Sequence, residues 1–196
     1  MIRILLVDDH PALRTGLHTV IRSEPGLIPV GAAAGEHDLW PLLNRTRPDV
    51  VLLDYHLPEH DGFVLCHRIK AMLPPPKVLI YSAYADASLT VPAIVSGADG
   101  VINKGAPAHE LFDAIRTVAD GEKVLPPVSP AVLAQAEAEL EPEDHPIMRR
   151  LVEQRSRADI AAELDLDLRA LNDRVEAIID RLRIAVPGSI LDSGRA

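Results

Sequence analysis

Residues 4–10 read ILLVDDH: four aliphatic side chains run without a break into two adjacent aspartates. Unbroken apolarity over so short a run marks a strand covered on both faces, as in a parallel sheet; a strand with one wet face alternates instead. Unpaired carboxylates are costly inside such a layer, so Asp8 and Asp9 belong where the strand leaves the core. The pattern recurs. Further short apolar runs occupy residues 27–33, 50–53, 78–81 and 100–102. Between them lie helical repeats: Leu13, Leu17, Val20 and Ile21, then Leu39, Leu42 and Leu43, then Phe63, Cys66 and Ile69. Leu111, Ile115 and Val118 form another. Strand and helix in fivefold alternation predict an α/β domain with a doubly wound, five-stranded parallel sheet, ending near Gly121.

The bulk numbers suit this. Of 196 residues, 47% are hydrophobic and 25% charged, as in ordinary globular proteins. Only 3% are aromatic, so the core must be built from Leu, Ile, Val and Ala. A net charge of -9 disfavours general attraction to nucleic acid or an anionic membrane, without excluding a local basic face. One cysteine, Cys66, permits no intramolecular disulfide and suits a reducing compartment. The apolar run at the N-terminus is too short for a signal segment or a membrane span, so a cytoplasmic location is expected.

After Gly121 the character changes. Residues 122–144 carry prolines and then five acidic residues, Glu137, Glu139, Glu141, Glu143 and Asp144, and read as a linker with a helical stretch near 130–140. Residues 145–196 show no strand signal. Ile147, Met148, Leu151 and Val152 mark one helix. Ser156, with Asp159 three residues on, starts a second as a capping-box variant. Asp167 caps a third, whose apolar stripe is Leu171, Val175, Ile178 and Leu182, and a short turn at 165–167 gives the last two the spacing of a helix-turn-helix.

Ligands of doubly wound sheets bind at the C-terminal strand ends. Asp8 and Asp9 end the first run, Asp54 the third and Ser82 the fourth, and Lys104 follows the fifth. Five polar groups distant in sequence thus converge on one edge. Taken singly, each has an ordinary explanation as a turn, cap or surface residue; Pro11 at the first position of the next helix would suit Asp8 and Asp9 as a cap. Together they place three carboxylates side by side, which repel unless a cation balances them. A hard divalent ion bound by oxygens, Mg²⁺ above all, would do so.

With VDDH at 7–10, LLDYHLPEHDG at 52–62, Ser82 and GADGVINKGAPAHEL at 97–111, residues 1–121 resemble the receiver domain of two-component response regulators, a flavodoxin-like fold. The resemblance implies that Asp54 is the phosphoacceptor, served by a histidine kinase. It implies that Asp8 and Asp9 hold Mg²⁺ with Asp54 and the main-chain carbonyl of His56. Ser82 and Lys104 would contact the phosphoryl oxygens. The receiver would then take part in its own phosphorylation rather than act as an enzyme on other substrates. One departure stands out: Val101 occupies a position where many receivers carry a Tyr or Phe that turns inward on activation.

Residues 145–184 resemble the helix-turn-helix output domain of LuxR/NarL-type regulators, which implies DNA contact through the last helix and transcription regulation, with a homodimer as a plausible assembly. Arg169, Asn172, Arg174 and Arg181 are the candidate DNA contacts. The match is divergent at its start, and shortened at its end, where AVPGSILDSGRA replaces a final helix. Nine arginines and no lysines face nine acidic residues from His145 onward, and Asp173, Glu176 and Asp180 lie among the DNA candidates. Phosphate binding requires net positive charge, so intrahelical Arg–acid pairing on a solvated helix competes with the DNA reading. Two alternatives follow: a tail that mediates protein interaction or dimerisation, and a metal-dependent phosphohydrolase of related topology. Ser82, Lys104 and the lack of a cap segment disfavour the second.

Overall fold

The computed structural model describes residues 1–58, 61–83 and 87–184. Five strands form one parallel sheet: β1 (Ile2–Val7), β2 (Leu27–Ala33), β3 (Val50–Leu53), β4 (Lys77–Ser82) and β5 (Gly100–Asn103). Their order is β2-β1-β3-β4-β5. The chain moves outward from β1 to β2, then crosses to β3 on the other side of β1. The crevice at that reversal opens between the C-terminal ends of β1 and β3, and those ends carry Asp8 and Asp54.

Alternation along each strand separates two apolar layers. Leu5, Val7, Val51, Leu53, Val78, Ile80 and Val101 face one side, packed with α2 (Glu36–Thr46), α3 (Gly62–Lys70) and α4 (Thr90–Ser96). Ile4, Leu6, Val50, Leu52, Leu79, Tyr81 and Ile102 face the other, with α1 (Pro11–Ser23) and α5 (Ala108–Ala119). Cys66 lies fully buried in the first layer, where burial pushes its thiol up to about 12. That thiol is packing, not a nucleophile.

The segment after α5 does not hang free. Val124 pairs with β5, its N–H donating to Asp99 and its carbonyl accepting from Val101, which covers one edge of the sheet. Leu125 and Val128 then pack on the first layer, and α6 (Pro130–Ala138) starts at Ser129, whose hydroxyl accepts from Val132 N. Three helices follow: α7 (His145–Val152), α8 (Arg157–Glu163) and α9 (Leu168–Ile184). Ser156 caps α8 by accepting from Asp159 N, and Asp167 caps α9 by accepting from Ala170 N at 2.7 Å.

α9 lies against α3 and α4, and α7 against α4. Leu171, Val175, Ile178, Ile179 and Leu182 of α9 are buried in the same cluster as Phe63, Cys66, Ile69, Val91 and Val95. Each such side chain withdrawn from water contributes roughly 1.5–3 kcal/mol before entropy is counted. The two halves of the chain therefore share one core. The seam also has polar ties: Arg68 to Glu176 at 2.7 Å, Lys123 to Gln154, and Arg157 to the Val95 carbonyl at 3.5 Å.

His67 sits on this seam, buried, with its Nδ1 unbonded. Burial, aided by the nearby Arg157 cation, lowers its pKa to about 4. The unfolded chain takes up a proton near the ordinary histidine value of about 6.5, the folded chain only near 4, so stability is lost as pH falls through that window. Urea unfolding at pH 7.5 and at pH 5 should differ by on the order of 2 kcal/mol from this residue. His67→Leu should remove that part of the difference; an unchanged pH dependence would disprove the assignment.

Candidate functional site

β1 and β3 deliver their carboxylates into the crevice because each strand ends one residue earlier. Asp8 N donates to Ala33 O at 3.2 Å and Asp54 N to Val7 O at 2.8 Å, so the backbone is still held by sheet-type bonds where the side chains emerge. Both residues are nearly buried, with 2% and 3% exposure. Beyond β5, Lys104 N donates to Ser82 O at 2.7 Å, which ties the fourth strand end to the fifth. Ser82 itself is buried at the end of β4.

Lys104 is the centre of the arrangement. Its Nζ donates to Asp8 Oδ2 and to Asp54 Oδ2, each at 2.6 Å. The remaining Asp54 oxygen accepts from His56 N at 3.1 Å, and Asp8 Oδ1 accepts from His10 N at 2.8 Å. Burial raises the Asp54 pKa, against hydrogen bonds and charge from Lys104. Burial alone would lower Lys104, but its bonds to Asp54 and Asp8 raise it.

Those two bonds make a prediction. Lys104→Met leaves two buried carboxylates without their cation, and breaking a buried pair in this way costs about 3–5 kcal/mol. The folded state favours neutral Asp54, so the deficit is greatest above its raised pKa and shrinks as pH falls through it. Thermal melts with a chelator present, at neutral and acidic pH, check this; equal losses at both would refute it.

Asp9 completes the acidic cluster. One of its oxygens, Oδ1, is buried and makes no hydrogen bond. Ligand atoms of Asp8, Asp9, His10 and Asp54 lie within 4.8 Å of one another. A buried carboxylate oxygen that accepts no hydrogen bond, among converging oxygens, fits a hard cation, and the cluster is able to hold a metal ion.

The loop after Asp54 is held by a close approach. Gly62 N donates to Tyr55 O at 2.9 Å, and a Cβ on Gly62 would come within 2.4 Å of both Asp54 O and Tyr55 Cα. Only glycine permits that packing. Asp61 then starts α3 by accepting from Phe63 N at 2.6 Å.

Two neighbours of the site carried no assignment in the sequence. His10 Nδ1 lies 2.7 Å from Asp9 Oδ1. Tyr81, buried at the end of β4, places its ring 5.8 Å from Lys104 Nζ and donates its hydroxyl to Lys104 O at 3.2 Å. Burial raises the phenol, keeping that donor protonated. Nothing in the pattern marks Tyr81, because it reads as one more apolar strand residue. Val101 is buried in the first layer beside Ile80 of β4.

The four DNA-contact candidates fare differently from the strand-end residues. Arg169 is exposed at the start of α9. Asn172 Oδ1 accepts from Arg157 at 2.9 Å, Arg174 pairs with Asp144 at 2.5 Å, and Arg181 with Glu141 at 3.1 Å. Arg174 and Arg181 thus find their carboxylates on the connecting segment rather than one turn away. Among the described side chains of α9, Leu168, Arg169, Asp173, Ala177 and Asp180 are exposed, a set that is not basic. Residues 185–196, the expected shortened end, lie outside the described residues.

Residues 4–116 match the family model of the response regulator receiver domain. The chain is 34% identical over 130 residues to the transcriptional regulatory protein YxjL of Bacillus subtilis, covering 66% of this chain and 60% of that protein. It is 27% identical over 195 residues to the transcriptional regulatory protein LiaR of the same organism, covering 94% and 92%. Among solved structures, a LuxR-family two-component response regulator from Aurantimonas superposes with a TM-score of 0.60 at 31% identity, over 72% of this chain and 99% of that one. No helix among the described residues is long and apolar enough to cross a membrane. With the sheet order, the strand-end carboxylates and the bridging lysine in place, the chain belongs to the response regulator receiver-domain family, and its relatives are regulators of the NarL/LuxR type.

Proposed function

We propose that this chain is a phosphorylation-dependent regulator of transcription in which Asp54 accepts a phosphoryl group from a histidine kinase. The supporting observation is the contact of the nearly buried Asp54 carboxylate with Lys104, beside Asp8 and Asp9. An Asp54 oxygen attacks phosphorus, the bond from phosphorus to the donor's imidazole nitrogen breaks, and the imidazole departs with that electron pair. Lys104 Nζ balances charge on the transferring group, and the Ser82 hydroxyl would bond one of its oxygens. Asp8, Asp9, Asp54 and the His56 carbonyl would hold Mg²⁺, which when bound neutralises phosphoryl charge. Incubation of the protein with a small phosphodonor and Mg²⁺ tests the assignment; absence of an acyl phosphate on folded protein would refute it.

Residues 1–121 form the receiver in this reading, 122–144 connect it, and 145–184 carry the output. Transcription regulation draws support from full-length relatives such as LiaR and NarL, described as regulatory proteins. DNA contact by Arg169, Asn172, Arg174 and Arg181 requires three of them to give up partners inside the chain. That observation favours a second reading, in which the tail mediates protein contact or homodimerisation. Random duplex DNA separates the two. If α9 reads DNA, affinity falls with salt, and Arg169→Ala lowers the slope of log K against log salt by about 1. No binding at low salt by folded, phosphorylated protein would leave the protein-contact reading, with sedimentation as its measurement.

A further inference from the structure

The donor set around the acidic cluster is not made of oxygen alone. His10 follows Asp9 directly and is pinned at the site by its own backbone, since its N–H donates to Asp8 Oδ1 at 2.8 Å and Pro11 opens α1 behind it. Its imidazole caps nothing: no side-chain hydrogen bond is made to the start of α1. Instead Nδ1 comes within 2.7 Å of Asp9 Oδ1 and 3.3 Å of Asp8 Oδ1. The Asp9 oxygen nevertheless accepts no hydrogen bond. This nitrogen and this carboxylate oxygen stand close together without a hydrogen bond between them, in the same group of ligand atoms as Asp8 and Asp54. That is the disposition of two ligands of one cation. The ring is two-thirds exposed, so it can turn toward such an ion without disturbing the core.

We propose that His10 Nδ1 is a direct ligand of the cation held by Asp8, Asp9 and Asp54, and that this nitrogen shifts the site's preference from Mg²⁺ toward first-row divalent ions such as Mn²⁺ and Co²⁺. The proposal rests on the reading of the cluster as a metal site. Mg²⁺ gains little from imidazole and prefers carboxylate and water, whereas imidazole nitrogen suits first-row ions, with affinity rising from Mn²⁺ to Co²⁺. An all-oxygen cluster follows the same order with a smaller spread. Lys104 holds one oxygen each of Asp8 and Asp54, Oδ2 in both cases, while ligand atoms of Asp8, Asp9, His10 and Asp54 lie within 4.8 Å of one another.

The test uses the full chain and the ions themselves. Titration calorimetry gives dissociation constants for Mg²⁺, Mn²⁺ and Co²⁺ with wild type and His10→Ala, and pulsed EPR of the Mn²⁺ complex detects bound nitrogen. Expected are a nitrogen modulation in wild type that is absent from the variant, and a loss of about tenfold for Co²⁺ against less than about twofold for Mg²⁺. A wild-type Mn²⁺ complex without nitrogen coupling, coupling that persists in His10→Ala, or equal losses for all three ions would each overturn the proposal while leaving a metal-binding receiver intact. Failure of folded wild type to bind any of the ions would overturn the metal reading as well. His10→Gln, which keeps a polar side chain, should behave as His10→Ala does; restoration of Co²⁺ affinity by glutamine would show that nitrogen ligation is not the cause.

Discussion

Replacing Asp54 by asparagine should reduce labelling by a phosphodonor to background while making the folded protein more stable at neutral pH. The first effect follows from chemistry, since an amide oxygen is not the nucleophile a carboxylate is, and among the described residues no other carboxylate stands at the end of β3. The second follows from burial. Asp54 is 3% exposed, and desolvation raises its pKa despite the Lys104 ammonium. The fold therefore prefers the neutral side chain, and at pH 7 it carries the charged one at a cost. Asparagine removes that charge and its repulsion from Asp8, and its side-chain carbonyl can still accept from His56 N. The Tm should therefore rise at neutral pH, by roughly 2–4 °C for each kcal/mol gained in a chain of this size. The gain should vanish at acidic pH, where Asp54 is itself neutral. Mass spectrometry and thermal melts read the two effects separately. Equal labelling of wild type and variant would sink the phosphoacceptor assignment. A gain over wild type that is no larger at pH 7 than at acidic pH would sink the electrostatic account of the site.

Truncating Ile178 to alanine should unfold more than the tail. Ile178 is fully buried on α9, in the cluster that also contains Phe63, Cys66, Val91 and Val95 of the receiver half. Deleting a buried isoleucine to alanine costs about 2–5 kcal/mol, the range reflecting how far the cavity collapses. In a chain with two independent cores, that loss would stay in residues 145–184. Here it should appear in both halves. The single tryptophan, Trp40, reports on the receiver from α2, partly buried against the same cluster and donating to Glu36 at 2.9 Å. Glu36 lies 3.5 Å from Arg68, which in turn bonds Glu176 of α9. The Trp40 fluorescence midpoint should fall together with the helical circular dichroism, by roughly 5–15 °C. Loss of helix signal with an unmoved Trp40 transition would show that the halves unfold separately.

Much of the receiver was legible because its signals are local. Runs such as 4–7 and 50–53 are apolar throughout, and strands buried on both faces leave no other pattern; all five runs became strands, with β4 and β5 extending slightly further. Asp8, Asp54 and Lys104 were legible for a related reason: a charge placed directly after such a run has to emerge at a strand end. The caps at Ser156 and Asp167 were equally local, since each requires only a side-chain oxygen and an N–H three residues on.

What stayed hidden depends on which surfaces meet. No periodicity distinguishes the stripe Leu171, Val175, Ile178 and Leu182 packed within a small tail domain from the same stripe packed on α3 and α4. An apolar face specifies burial and leaves its partner open. The partners of Asn172, Arg174 and Arg181 were hidden likewise, because ion pairs with Asp144 and Glu141 depend on how the connecting segment is laid down. Tyr81 and His10 acquire meaning only from distances to Lys104 and Asp9. The sequence by itself determined the sheet, its acidic edge and the helical tail, because hydrophobic burial and capping act over a few residues. Only the tertiary structure decided that receiver and tail share one core and that Lys104 bridges two carboxylates, because those outcomes are contacts between residues dozens of positions apart.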